Sequence, residues 1–159
     1  MPLPPRQRGM FFEEFEVGQK IVTMARTVTE TDVVTFAGLS GDFNQIHTDA
    51  TYAAATPFGQ RIAHGLCVMA IASGLVTQTG VMEGTVLAFR EIAEWKFSKP
   101  VFFGDTVHVE AEVVETRPYP RLNGGAVTIK LNVLNQAGDV AQSGRWSVLM
   151  LSQPKAAQG

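Results

Sequence analysis

The sequence contains one cysteine, Cys67, among its 159 residues. A single cysteine excludes a disulfide within the chain, and it excludes a zinc site built from several thiolates. An excess of charge of one sign is also lacking, since 13 lysines and arginines against 15 acidic residues leave a net charge of −2. This balance gives no electrostatic reason to expect a nucleic acid or an anionic membrane as partner.

A long hydrophobic run is missing as well. No charged residue occurs from Gly65 to Met82, but the continuous apolar or small part ends at Val76. About 12 residues are too few to span a bilayer and are typical of a buried helix. The first 14 residues have positive charges without an apolar segment behind them, so no secretory signal is expected. We therefore expect a cytoplasmic protein that is not inserted into a membrane.

The composition that remains is that of a globular protein. Apolar residues make up 45% of the chain and charged residues 18%, which is ordinary for a folded domain. A chain of this length buries about two-thirds of the surface that it exposes when unfolded. We expect one domain over residues 1–159, with an irregular lead-in at 1–14 and a tail at 153–159.

Helix signals dominate the first half, after a strand expected over residues 20–28. Thr29 is a candidate N-cap for a short helix, with Asp32 in the capping-box position. A second short helix is expected over residues 49–55, capped by Asp49 or Thr48. A long helix is expected from Gly65 to about residue 78. This helix is apolar nearly all round, so we expect the fold to enclose it.

Strand signals dominate the second half, over residues 85–97, 104–115, 126–135 and 140–151. Apolar and polar residues alternate along residues 104–115 and 126–135, as in half-buried strands. The short turns between the strands imply antiparallel neighbours. One long helix with about five strands predicts an α+β fold in which a curved sheet wraps the helix. The last strands are partly apolar on both faces, which indicates that an outer edge meets another subunit.

The polar segment 40–50, SGDFNQIHTDA, is the first candidate site. A turn without chemistry explains it in one way, because Asp and Asn side chains bond their own backbone. A second interpretation is an acid–base pair, in which a bend brings Asp42 and His47 onto one water molecule. A metal site that uses Asp42, His47 and Asp49 is a third, but no metal-binding spacing supports it.

The glycine that starts the long helix is the second candidate. The first N–H groups of a helix have no partner within the helix and carry partial positive charge. Because glycine lets a ligand approach the backbone closely, the N–H of Gly65 is a candidate donor to an oxyanion. The alternative is a glycine without chemical importance. Ser73, two turns further on, either faces the site or bonds its own backbone.

These motifs together resemble the MaoC-like hydratase family of (R)-specific enoyl-CoA hydratases. The similarity runs from about Phe15 to Leu151, and its most specific part is G-D-x-N-x-x-H-x-D before F-G-x-x-I-A-H-G. Gln45 departs from the family, where many members have proline. The resemblance implies a hotdog fold, in which an antiparallel sheet wraps a long central helix, and a homodimer or higher homo-oligomer with acyl-CoA near the subunit interface.

The resemblance also implies roles for individual residues. Asp42 and His47 match the catalytic pair, and Gly65 matches the residue whose N–H binds the thioester oxygen. Ser73 falls where a supporting active-site serine occurs. Asn44 is expected to shape the loop. His64, just before the helix, is expected to orient the loop rather than to react.

The implied reaction is hydration of a 2-enoyl thioester, or the reverse dehydration, without metal, flavin or nicotinamide. The thioester is carried by coenzyme A or by an acyl carrier protein; the motifs do not distinguish the two. Two other functions stay open at this point. One is a hotdog acyl-CoA thioesterase, because the same fold serves hydrolysis. The other is an acyl-thioester-binding protein without turnover.

Overall fold

An antiparallel sheet forms the body of the protein in the computed structural model, which describes residues 9–154. Four long strands are joined in the order β4–β5–β6–β3, and two short strands, β1 and β2, pair with β4. The strands are β1 Lys20–Val22, β2 Arg26–Thr27, β3 Val86–Phe97, β4 Thr106–Tyr119, β5 Gly124–Leu134 and β6 Val140–Leu151. The four long strands confirm the four expected in the second half.

Alternation of side chains turns one face of this sheet inward. Val107 and Val109 of β4 are buried whereas Glu110 is exposed, as the period of two predicts. The β4–β5 connection includes Asn123 at φ 48°, a left-handed conformation that asparagine tolerates. The buried apolar residues of β4, β5 and β6 belong to one cluster and form a continuous apolar wall.

Helices precede the long strands in the chain: α1 Glu30–Ser40, α2 Gln45–Thr48, α3 Ala50–Ala54 and α4 Gly65–Gln78. The predicted capping box of α1 is present, since Thr29 accepts from the Asp32 N–H and the Asp32 carboxylate accepts from the Thr29 N–H. Asp49 caps α3 in the same manner, by accepting from the Tyr52 N–H. Short polar side chains thus set the start of both helices.

Helix α4 packs one side against the apolar wall of the sheet. Its buried residues belong to the same cluster as the inward residues of β4, β5 and β6, which confirms the α+β architecture. The expectation that α4 is enclosed all round is wrong for the single chain. Leu66, Ala70, Gly74 and Thr77 are exposed, and their spacing places them along one stripe of the helix. One face of α4 is therefore open.

The strand expected over residues 20–28 is interrupted. The N–H of Val109 donates to the side-chain oxygen of Thr23 at 2.9 Å. The Thr23 hydroxyl therefore accepts a bond that a backbone carbonyl accepts in a regular pair of strands. The chain continues as two short strands, β1 and β2, on either side of Thr23. Strand propensity does not report that a side chain competes with the backbone for this hydrogen bond.

The chain ends are described in part. Residues 1–8 of the expected lead-in and 155–159 of the expected tail lie outside the described residues. The lead-in contains a short 3₁₀ helix, Phe12–Glu14, and the N–H of Gln153 donates to the Glu13 carboxylate at 3.0 Å. Among residues 9–154, no helix has the length and apolar character that a membrane span needs.

Strand β3 forms one edge of the sheet. It pairs with β6 along one side, and no strand among the described residues pairs with its other side. Several of its large apolar side chains are exposed, at 45–54%: Val86, Leu87, Phe89, Ile92 and Phe97. A long apolar edge of this kind is a surface that proteins normally cover.

Candidate active site

The loop that carries Asp42 is shaped by its own side chains. Helix α1 ends at Gly41, whose φ of 78° needs a residue that adopts the left-handed region. The N–H of Asn44 then donates to Asp42 Oδ1 at 3.2 Å, and the Asn44 side chain caps α2 by accepting from the Ile46 N–H. The turn chemistry is therefore real, and it leaves the Asp42 carboxylate exposed at the surface of the single chain.

His47 lies on α2 and is buried. Its Nδ1 is 2.7 Å from the carbonyl oxygen of Ile62. Because a carbonyl only accepts, Nδ1 carries the hydrogen, and Nε2 has the free lone pair when the ring is neutral. Burial lowers the pKa of His47, and a charge on neighbouring His64 also lowers it. The bond to the Ile62 carbonyl and the charge of Asp42 raise this pKa, but burial has the larger effect. The neutral ring is thus the form that the fold favours.

His64 also holds the loop that carries Asp42. Its Nε2 donates to the backbone oxygen of Asp42 at 2.8 Å, and its ring stacks on His47 with centroids 3.8 Å apart. Its other nitrogen, Nδ1, is buried without a partner among the described residues. A residue that orients the loop makes a contact of this kind, as the sequence predicts for His64.

The bend brings the predicted acid–base pair together. A carboxylate oxygen of Asp42 and one nitrogen each of His47 and His64 all lie within 4.8 Å of one another. Three such ligands are enough in number for a metal site. Backbone carbonyls hold Nδ1 of His47 and Nε2 of His64, so the nitrogens left for any other ligand are Nε2 of His47 and Nδ1 of His64.

Residues 62–65 connect this pair to helix α4. The N–H of Ile62 donates to Ile46 O at 3.2 Å, and the N–H of Ala63 donates to Val101 O at 2.8 Å. The carbonyl of Ile62 holds His47, as described above. Four consecutive residues therefore fix the loop that carries Asp42, the start of α4 and the segment before β4 relative to one another.

Gly65 is the first residue of α4, and its N–H meets no acceptor among residues 9–154. An unpaired N–H at the start of a 14-residue helix carries the partial positive charge expected there. A Cβ built on Gly65 would lie 2.6 Å from the ring of Phe97. A side chain at position 65 would therefore need the Phe97 ring to move.

A cavity of about 470 Å³ joins His47 and Gly65. Its wall is mostly apolar and includes Ile46, Phe58, Ile62, Leu66, Phe97 and Val101. Three of these side chains, Phe58, Leu66 and Phe97, are 40–59% exposed and surround an open side. A mainly apolar pocket with few polar groups is typical of a small-molecule site.

Four of the predicted site residues do not line this cavity: Asp42, Asn44, His64 and Ser73. Ser73 is two turns along α4, and its carbonyl accepts from the Thr77 hydroxyl at 2.9 Å; the cavity wall does not include it. The role predicted for Ser73 stays a prediction. Of the basic residues near the opening, Lys99 lines the cavity and pairs with Asp139 at 2.8 Å, whereas Arg61 pairs with Glu30.

Gln142 and Phe97 belong to the cavity wall but were not among the predicted site residues. Gln142 has the same parity along β6 as buried Trp146, Val148 and Met150. A glutamine on the apolar face of an alternating strand was therefore a usable signal. Phe97 carries no such signal, because an aromatic residue at a strand end is common.

The model of the MaoC-like domain family matches residues 13–134 of the chain. Among solved structures, a monoamine oxidase regulatory protein from Archaeoglobus has a TM-score of 0.86 at 41% identity, covering 93% of this chain and 98% of that one. R-hydratase PhaJ1 from Pseudomonas aeruginosa has a TM-score of 0.78 at 32% identity, covering 95% and 97%. A Mycobacterium tuberculosis protein with a double hotdog fold has a TM-score of 0.81 at 19% identity, over 95% of this chain and 47% of that one. The predicted hotdog fold is confirmed.

Three relatives with assigned names match as well. The 3-hydroxybutyryl-CoA dehydratase of Methylorubrum extorquens is 38% identical over 117 residues, which are 74% of this chain and 72% of that one. The (R)-specific enoyl-CoA hydratase of Aeromonas caviae is 33% identical over 135 residues, 85% and 95% of the two chains. Protein MaoC of Klebsiella aerogenes is 40% identical over 99 residues, 62% of this chain but 29% of that longer one.

Proposed function

The chain belongs to the family of MaoC-like domains, and we propose that it is a hydratase/dehydratase that acts on 2-enoyl thioesters and forms (R)-3-hydroxyacyl products. Relatives named as an (R)-specific enoyl-CoA hydratase and a 3-hydroxybutyryl-CoA dehydratase support the reaction class. The two names describe opposite directions of one equilibrium.

The fixed tautomer of His47 carries this proposal. Its Nδ1–H is used by Ile62 O, so the lone pair of Nε2 is left for a hydrogen of water. The Asp42 carboxylate is within 4.8 Å of the same cluster and accepts the other hydrogen. A water bound by both groups has both hydrogens engaged, which leaves its oxygen lone pair for the substrate.

The N–H of Gly65 supplies the complementary group. An α,β-unsaturated thioester is electrophilic at Cβ because its carbonyl oxygen accepts the charge as an enolate. With that oxygen on the Gly65 N–H, negative charge develops at the positive end of α4. The apolar cavity beside Gly65 holds the acyl chain and keeps bulk water from it.

The proposed chemistry then proceeds in two proton transfers. Asp42 takes a proton from the bound water as its oxygen forms a bond to Cβ, while the enolate oxygen is held by Gly65. The protonated Asp42 carboxyl next delivers this proton to Cα on the same face, which restores the Asp42 carboxylate and the C=O of the thioester. The product is an (R)-3-hydroxyacyl thioester. Because the chain itself provides base and oxyanion donor, the proposal uses no metal, flavin or nicotinamide.

The carrier of the substrate is proposed to be coenzyme A, with an acyl carrier protein as the alternative. We also propose that a second copy of the chain covers the β3 edge. This edge exposes five large apolar residues, and the open stripe of α4 adds further uncovered surface. Burial of such surface stabilises association by about 25 cal/mol per Å² before the cost of lost freedom is counted.

A comparison of two assays with crotonyl-CoA tests the function. The proposal predicts loss of the enoyl absorbance without release of free thiol, and an (R) configuration in the hydrated product. Thiol release at an unchanged double bond would instead establish a thioesterase. Tight binding of the thioester with neither change would establish a binding protein.

A further inference from the structure

Gln142 is a buried amide next to the proposed oxyanion donor. Its side chain is on β6, the residue is 2% exposed, and it lines the cavity beside Gly65. The amide nitrogen of Gln142 donates to the carbonyl oxygen of Gly65 at 2.9 Å. A polar side chain at such depth is costly unless it is hydrogen-bonded, and here the bond goes to the first residue of α4.

The other end of this amide is fixed as well. Trp95 Nε1 donates to Gln142 Oε1 at 3.2 Å. This bond also settles which end of the Gln142 amide is oxygen, since an indole N–H only donates. Trp95 is itself held by stacking on buried Trp146, with ring centroids 5.6 Å apart. The Gln142 amide is thus oriented by an aromatic pair in the sheet.

A distortion of β3 places Trp95 for this contact. The register of β3 against β6 shifts between Ala93 and Lys96, and Glu94 has φ 54°. A non-glycine residue in the left-handed region is strained, and it re-aims the side chains beside it. A Cβ built on Gly144 would lie 2.5 Å from the Trp95 ring, so glycine at 144 leaves room for the indole.

Resting on the proposed function, we propose that Gln142 is a positioning residue for the thioester carbonyl. It anchors Gly65 through the carbonyl of that residue, so that the Gly65 N–H keeps its direction into the cavity. Glycine is the most mobile residue of the backbone, and His64 gives α4 no side-chain cap. The sheet therefore supplies the rigidity that this helix start lacks.

Substitution of Gln142 separates positioning from general stability. Gln142→Met keeps length and volume but loses the donor; we expect kcat to fall at least about tenfold, with KM within about twofold. This is less than the 10²–10³ lost with an oxyanion donor, and loss in kcat marks an interaction made in the transition state. Thr23→Val, which removes another buried hydrogen-bonding side chain, is the control and should keep kcat.

The variant Gln142→Glu adds a pH dependence of kcat, which a purely structural role of Gln142 would not produce. A protonated carboxyl donates to Gly65 O, whereas a carboxylate repels it. The ratio of its kcat to that of the wild type should therefore rise towards acid pH between about pH 8 and 5, as a buried carboxyl gains its proton. The same ratio for Gln142→Met should stay flat. Parallel thermal unfolding at each pH accounts for stability.

The order parameter of the Gly65 amide, from ¹⁵N relaxation, completes the experiment without turnover. We expect about 0.85 in the wild type, a rigid backbone, and a fall towards about 0.6 in Gln142→Met. If the wild type hydrates crotonyl-CoA and Gln142→Met keeps kcat within twofold, the positioning role is wrong and the proposed function stands. If the wild type is inactive on enoyl thioesters, the proposed function fails. The order parameter still tests the anchoring of Gly65 in that case, and an unchanged value in Gln142→Met overturns it.

Discussion

The imidazole rings of His47 and His64 are stacked, with centroids 3.8 Å apart and planes 29° from parallel. Each ring donates one N–H to a backbone carbonyl, His47 to Ile62 and His64 to Asp42. Two stacked imidazolium ions would repel each other in a buried site. The stacking and the two bonds hold both rings in fixed orientations, and Nε2 of a neutral His47 keeps a free lone pair.

Stability should decline as the pH falls through the range of histidine titration. The folded protein lowers the pKa of His47, so the unfolded chain binds more protons between that pKa and about 6.5. Stability from this residue is complete above about pH 6.5 and is lost at lower pH. Urea unfolding at pH 7.5, 6.5 and 5.5 measures it. His47→Gln should show a smaller decline over this range; an equal decline would contradict the assignment.

Removal of either member of the acid–base pair should abolish most turnover. Asp42→Asn and His47→Gln keep the shape of each side chain but lose the base or the imidazole lone pair. Each should lower kcat for crotonyl-CoA hydration at least about 100-fold. Circular dichroism and thermal unfolding confirm the fold of each variant. Near-wild-type turnover in a folded variant would overturn the role of that residue.

The Gly65 N–H can be removed without breaking the helix. Proline is well tolerated at the first helical position, and His64 at φ −58°, ψ 134° has the conformation that precedes proline. The added ring atoms require space, so the Phe97→Leu background is used for both Gly65→Pro and Gly65→Ala. The alanine variant keeps the N–H. We expect kcat of the proline variant to be lower by a further 10²–10³; equal rates would exclude the oxyanion role.

Charge on the β3 edge should weaken self-association. Ile92 is 45% exposed on β3. If two copies meet at this edge, Ile92→Asp places one carboxylate from each copy close together, and the two repel each other. Sedimentation velocity at micromolar concentration should give a dimer or larger assembly for the wild type and a shift towards monomer for this variant. Val17→Asp is the control, because Val17 is 64% exposed and lies before β1, at the opposite edge. A monomeric wild type would contradict the proposed assembly.

Local signals explain which parts of the fold were predictable. The Thr29–Asp32 capping box and the alternation along β4 depend on neighbours in sequence, and both are confirmed. The interruption at Thr23 depends on Val109, 86 positions away, and no local pattern reports such a contact. The open face of α4 also escaped prediction, since its small residues are as compatible with burial as with exposure.

The same division applies to the site. The motif places Asp42 and His47 in one short segment, and the bend that joins them follows from the turn residues Gly41 and Asn44. Asp42 and Phe43 both lie at the surface of the single chain, where Phe43 is 61% exposed. Contacts across the fold, such as that of Gln142 with Gly65, required the register of the sheet.

The double variant Asp42→Asn/His47→Gln tests the shared water most directly. If both side chains hold one water molecule, removal of the first destroys the arrangement on which the second acts, so their effects are not additive. The crotonyl-CoA hydration rate of the double variant should then equal that of the slower single variant within a few-fold. A rate reduced by the product of the two single effects would mean that Asp42 and His47 act independently, and it would contradict the account.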